Sequence, residues 1–228
     1  TEICTIGVWG PRARDIIQSL TDADMSHQAF KFGWARDINL GEIKVWAFRI
    51  SYVGDLGWEI YIPMKHGQTV WDLIAEAGKP HGMVPAGIGV YGTTGRLEKG
   101  YRLFGAELEG EYTPIEAGLL RPKVKSQDFI GKDALVTLRE KGPVTSMCTL
   151  TVDNHQSSNG ELRYMLGGEP ILTLDGDRIV DTHGRSSYVT SAGSGPSTGK
   201  HILMAYLPPQ YAKAGTSLLV EYFGSQHP

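Results

Sequence analysis

Apolar positions alternate between strand-like runs and helical spacing as far as about residue 141, and beyond it only short strand-like runs recur. Ile3 to Trp9 reads as a strand. Gly10-Pro11 then opens a helix through about Leu20, with Ala13, Ile16, Ile17 and Leu20 at helical spacing. Phe32 to Leu40 and Glu42 to Ser51 read as strands joined at Gly41, and Trp58 to Ile62 as a third. Lys65 to Ala77 is predicted to be an amphipathic helix, with Val70, Trp71, Ile74 and Ala77 on one face and Gly78 and Pro80 ending it. Pro85 to Gly100 holds a glycine-interrupted helix, Thr113 to Leu120 a turn-rich connection, and Phe129 to Lys141 a helix closed by Gly142-Pro143. Strand candidates follow at 146–152, 170–174, 178–181, 187–190, 201–206 and 217–222, separated by Gly, Asp, Asn or Pro. The pattern predicts an α+β class: a mixed α+β domain over residues 1–126, then a small antiparallel β-barrel or β-sandwich domain over 127–228.

Ser51 to Ile62 concentrates the candidate chemistry. Gly54 and Gly57 set a tight turn between Tyr52 and Trp58, and Glu59 leaves that turn on a strand in a defined direction. A carboxylate beside aromatic side chains suits a flat heterocycle with adjacent N–H donors, such as a pterin. It accepts two parallel hydrogen bonds while a ring covers the face. The same residues also suit a plain β-hairpin with an exposed acid at its end. A second cluster, Arg96-Leu97-Glu98-Lys99-Gly100-Tyr101-Arg102, would put Arg96 and Lys99 on one helix face. That pair suits a carboxylate-bearing tail, or equally a solvated helix end with local ion pairs.

Composition narrows the function classes. The 228 residues are 41% hydrophobic, enough for a sizeable core in one or two domains. A net charge of −3 offers no basic surface for nucleic acid or membrane. Cys4 and Cys148 lie far apart and are expected to be reduced and buried. The seven histidines show no metal-ligand spacing, so no metal site is expected. Gly87 to Gly92 spells GxGxxG, but Pro85 and a poor strand precede it, which favours close helix packing over a dinucleotide site. Ser194 to His201 resembles a phosphate loop only superficially, since its first glycine and the hydroxyl after Lys200 are missing; it reads as a hairpin loop. No GxSxG supports a hydrolase. No run approaches the length of a membrane span and no signal peptide is visible, so the cytoplasm is expected, or the mitochondrial matrix in a eukaryote. The first residue, Thr1, reads as the start of a processed chain or of a fragment.

Several segments in order resemble one family: Trp9-Gly10-Pro11-Arg12-Ala13-Arg14, Arg49 to Glu59, Arg96 to Arg102, Thr113-Pro114-Ile115-Glu116-Ala117-Gly118-Leu119, Phe129 to Leu135, and Val189-Thr190-Ser191. Together they resemble the aminomethyltransferase family, the T-protein of the glycine cleavage system. The likeness is closer to the folate-binding C-terminal part of dimethylglycine and sarcosine dehydrogenases. The resemblance implies a tetrahydrofolate-binding domain over residues 1–126 and a terminal barrel. It also implies one-carbon transfer from a small amine-derived donor to tetrahydrofolate. By that analogy Glu59 binds the pterin, Tyr52 lines the folate pocket, Arg96 contacts folate and Tyr101 lies nearby. The family's catalytic aspartate precedes the Trp-Gly-Pro segment, so the resemblance leaves the catalytic residue of this chain unassigned and the catalytic site incomplete. It also leaves open a non-catalytic folate-binding module of a larger amine dehydrogenase, and a folate-dependent O- or S-demethylase. An upstream flavin domain or subunit is an implied partner, since this chain holds no flavin-binding segment.

Overall fold

The computed structural model describes residues 2–119 and 124–228. They form two compact units, Thr1–Tyr91 and Gly92–Pro228. The division falls upstream of the boundary expected at 126/127, and the part of the Thr113 to Leu120 connection beyond Leu119 lies outside the described residues.

In the first unit, β1 (Ile3–Trp9), β2 (Ala35–Leu40), β3 (Ile43–Phe48) and β4 (Gly57–Pro63) build one antiparallel sheet in the order β1-β4-β3-β2. Alternation along β4 explains its packing. Trp58, Ile60 and Ile62 are fully buried, while Glu59 and Tyr61 between them point to the other face and are half-buried. Helices α1 (Ala13–Gln18) and α2 (Gly67–Gly78) belong to the buried side. Ala13, Ile16, Ile17, Val70 and Ile74 join Val8, Val45, Ala47, Trp58, Ile60 and Ile62 in one core. The expected strands and both helices are present; α1 stops short of Leu20, and α2 contains the whole of its apolar pattern. Phe32, Gly33 and Trp34 fall outside β2 because they form a turn: Gly33 N–H donates to Arg49 O at 2.8 Å, and Trp34 N–H to Lys31 O at 3.1 Å.

The second unit opens with a π-helical stretch, Val90–Gly95, that runs across the division into the short α3 (Arg96–Glu98). Helical structure thus runs from Ile88 to Glu98, inside the glycine-interrupted helix expected over Pro85 to Gly100; residues 83–87 take no regular structure, so no strand precedes the GxGxxG run. Helix α4 (Lys132–Lys141) starts three residues later than expected, because Gly131 takes φ +85° at its N-cap. Two three-stranded antiparallel sheets follow. One has the order β5 (Ser146–Val152), β8 (Lys200–Leu207), β7 (Val189–Gly195). The other has the order β10 (Ser225–His227), β9 (Leu219–Tyr222), β6 (Ile171–Leu172). Bridging bonds from Val189 N–H to Glu169 O at 2.8 Å and from Ile171 N–H to Ser187 O at 3.1 Å join them into a barrel-like wrap. Among the described residues no α-helix interrupts the chain from Val144 to Tyr222. The 178–181 run contributes only isolated bridges, Leu172 with Arg178 and Val180 with Ser186. Ser194 to His201 is the β7–β8 hairpin.

Strand β8 is buried along all but its first residue. Leu203, Ala205 and Leu207 face one cluster with Val152, Ile171, Val189 and Val220, while Ile202 and Met204 face Leu97 on the other side. A strand covered on both faces reads as a continuous apolar run, and Ile202-Leu203-Met204-Ala205-Tyr206-Leu207 is one.

Candidate functional site

Register places the first unit's polar and aromatic groups on the sheet face away from its hydrophobic core. Gly7 pairs with Glu59, Trp9 with Gly57, Phe48 with Glu59 and Trp46 with Tyr61. That alternation puts Trp9, Phe48, Trp46, Glu59 and Tyr61 on one side. Trp9 lies flat across Gly7, where any Cβ would sit 2.0 Å from the indole ring. Its Nε1–H donates to Ile50 O at 3.2 Å, which fixes the ring beside the 51–56 turn. Gly54 makes that turn with φ +83°, and Tyr52 projects from it.

Glu59 is the centre of this face. Tyr61 donates its hydroxyl to Oε2 at 2.7 Å, and Tyr91 donates to Oε1 at 3.1 Å. The bond to Glu59, with burial and the carboxylate charge behind it, pushes the Tyr61 phenol up to about 12. Burial, then the Glu59 charge and bond, raise Tyr91 further. Tyr91 packs against Trp9 and against Tyr52, each at a centroid distance of 5.0 Å with tilted planes. Trp46 lies 4.9 Å from Tyr61. The result is a half-buried carboxylate walled by Trp9, Tyr52, Tyr61 and Tyr91. Tyr52 and Glu59 are thus brought to one spot through Tyr91. Neither Tyr61 nor Tyr91 follows from the sequence reading; the alternation of β4 was the signal for Tyr61, and Tyr91 had none.

Arg96 and Tyr101 sit together in the second unit. Arg96 is 2% exposed. Its Nε donates to Gly92 O at 2.6 Å, Nη1 to Tyr101 O at 2.9 Å and to Glu107 Oε2 at 3.0 Å, and Nη2 to Ser191 Oγ at 2.8 Å. Glu107 is fully buried and also accepts from Leu103 N–H at 2.8 Å and Thr190 Oγ1 at 2.7 Å. Nearby residues of the unit hold a second knot. Burial works against the charge of Glu116, yet Arg185, Thr113 and Thr145 outweigh it and hold the carboxyl below its usual range. Arg185 reaches Glu116 and Asp181 and lies over the Tyr112 ring at 4.6 Å.

A cleft of about 410 Å³ in the second unit lies beside β5 and the 211–220 segment, and none of the four expected folate residues lines it. Among the described residues no cluster of His, Cys, Asp or Glu suits a metal ion, and no helix is long and apolar enough to cross a membrane. Cys4 and Cys148 are free and half-buried.

The family profile described as "GCVT N-terminal domain" matches residues 1–124, and "Glycine cleavage T-protein C-terminal barrel domain" matches residues 155–228. The chain belongs to the glycine cleavage T-protein family. Mitochondrial dimethylglycine dehydrogenase of Mus musculus is 34% identical over 234 residues, covering 100% of this chain and 25% of that protein. The aminomethyltransferase of Caldanaerobacter subterraneus subsp. tengcongensis is 34% identical over 221 residues, covering 96% of this chain and 54% of that protein. This T-protein-family chain therefore spans about half of the one relative and a quarter of the other. The crystal structure of glycine cleavage system aminomethyltransferase T from Bartonella henselae matches 99% of this chain and 81% of its own with a TM-score of 0.68 and 18% identity, a likeness of fold.

Proposed function

We propose that this chain binds tetrahydrofolate through Glu59 and the surrounding rings and takes part in one-carbon transfer from a small amine-derived donor. The observation that carries the reading is the Glu59 carboxylate, half-buried on the sheet face among Trp9, Tyr52, Tyr61 and Tyr91. Glu59 with Trp9 and Tyr52 fits a pterin: the carboxylate accepts paired N–H donors while aromatic rings cover an apolar face. Residues 1–126 act as the folate domain and 127–228 as the barrel domain. Tyr52 lines the ring. Arg96, whose nitrogens bond protein acceptors, serves as a positioning residue for the loop that carries Tyr101. Support for the reaction class comes from relatives named as aminomethyltransferases and dimethylglycine dehydrogenases. An amine dehydrogenase reading would add a flavin domain or subunit as partner.

Calorimetric titration of tetrahydrofolate into the wild type and Glu59→Gln tests the reading. Losing charge-assisted bonds is expected to weaken binding by about 1.5–3 kcal/mol. Equal affinities would reduce Glu59 to a strand-end acid.

A further inference from the structure

Tyr91 makes, within the protein, both kinds of contact that the proposed ligand needs. Its hydroxyl donates to Glu59 Oε1 at 3.1 Å. Its ring covers Trp9 and Tyr52 at 5.0 Å each. With Tyr61 on Oε2, both oxygens of the carboxylate already accept a hydrogen bond.

The two tyrosines are not equivalent. Tyr61 projects from the middle of β4, is braced by Trp46 at 4.9 Å and holds Oε2 at 2.7 Å, the length of a strong charge-assisted O–H bond. Tyr91 holds its oxygen at 3.1 Å, a longer bond that exchanges more readily. It also stands on a different kind of backbone, the second residue of the π-helical stretch Val90–Gly95. Such stretches interrupt regular helix bonding and recur at functional positions. Gly87, four residues before it, and Gly92, next to it, have open space where a Cβ would be.

We propose that Tyr91 is a built-in stand-in for the ligand's flat heterocycle: it fills the Glu59 site and must swing away before the heterocycle can bind. The inference rests on the folate reading of Glu59. A protein whose competent state is only partly populated binds with its affinity reduced by that fraction. Tyr91 thereby sets a threshold: a ligand must offer Glu59 more than one hydroxyl, as a ring with two adjacent N–H donors does and a simple phenol does not.

The test titrates 5-formyltetrahydrofolate into wild type, Tyr91→Ala, Glu59→Gln and the double variant, each first shown by its melting transition to be folded. Removing one charge-assisted competitor bond is expected to tighten binding by Tyr91→Ala about tenfold. The gain should vanish in the double variant. If Tyr91→Ala binds equally or more weakly while Glu59→Gln still loses affinity, the stand-in is overturned and the Glu59 site survives. If Glu59→Gln binds as the wild type does, the site reading itself falls, and so does the inference built on it. Binding by none of the four overturns both.

Discussion

At the scale of single residues, some polar side chains of this chain are held by main-chain and charged partners in the interior, and others by aromatic hydroxyls at half-buried positions. Arg96 illustrates the first kind. Its place in the sequence suggested a ligand contact, whereas the structure surrounds it with Gly92 O, Tyr101 O, Glu107 and Ser191. Thr190 and Ser191, part of the segment resembling the family, turn out to complete this same knot. Glu59 illustrates the second kind, since hydroxyls of aromatic residues are its hydrogen-bond donors. Gly7 belongs with it, although nothing in the sequence marks it. A methyl at Gly7 would meet the Trp9 ring at 2.0 Å, so Gly7→Ala must push the indole off the strand. Overpacking of this kind costs about 1–3 kcal/mol. The variant should show a shifted tryptophan emission and, on the folate reading, weaker tetrahydrofolate binding. Unaltered emission together with wild-type stability would contradict the packing described for Trp9.

At the scale of elements, legibility followed the clarity of the period. β1, β4 and β5 were readable almost to the residue, because alternation or β-branched runs are bounded by Gly or Pro. The 178–181 run misleads for a physical reason: its residues meet neighbours only through single bridges, so a strand-like composition closes no ladder. The Ser225–His227 strand was unreadable because three residues carry no period. The site was legible in part. Tyr52 and Glu59 stood out by their turn, but Tyr91 is brought to them by a π-helical stretch that no spacing rule encodes. One element contact carries its own pH dependence. His201 on β8 is 6% exposed, with Nε2 against Met165 O at 3.0 Å and with His155 and Tyr164 packed beside it. Burial lowers its pKa, aided by the His155 charge and opposed by the Met165 carbonyl and by Glu169. The folded state therefore takes up the proton less readily than the unfolded chain, and stability falls as pH drops below about 6.5. Urea midpoints measured near neutrality and about two pH units lower should fall less for His201→Gln than for the wild type. An identical fall in both would assign the acid sensitivity elsewhere.

At the scale of the whole chain, two descriptions of its organisation overlap without coinciding. The family's N-terminal domain matches residues 1–124, whereas compact packing divides the chain between Tyr91 and Gly92. The reason lies in residues 92–119, whose buried charges find their partners in the second unit: Arg96 and Glu107 at β7, and Glu116 at Arg185. Sequence homology groups residues by descent, and compactness groups them by where their polar atoms are satisfied. Strand β8 has a further consequence, outside the native state. Its run Ile202-Leu203-Met204-Ala205-Tyr206-Leu207 holds no charge and no proline, and both of its faces are covered only when Leu97 and the Val152–Val220 cluster have closed over it. Until then it is the kind of segment that stacks with copies of itself. Nascent or heat-opened chains should therefore aggregate through this strand. A charged gatekeeper is tolerable only at its exposed entrance, Lys200, where the native sequence already carries one. Lys200→Leu should leave the folded structure unchanged and speed the rise of light scattering during refolding; an unchanged rate would move the hazard to another strand.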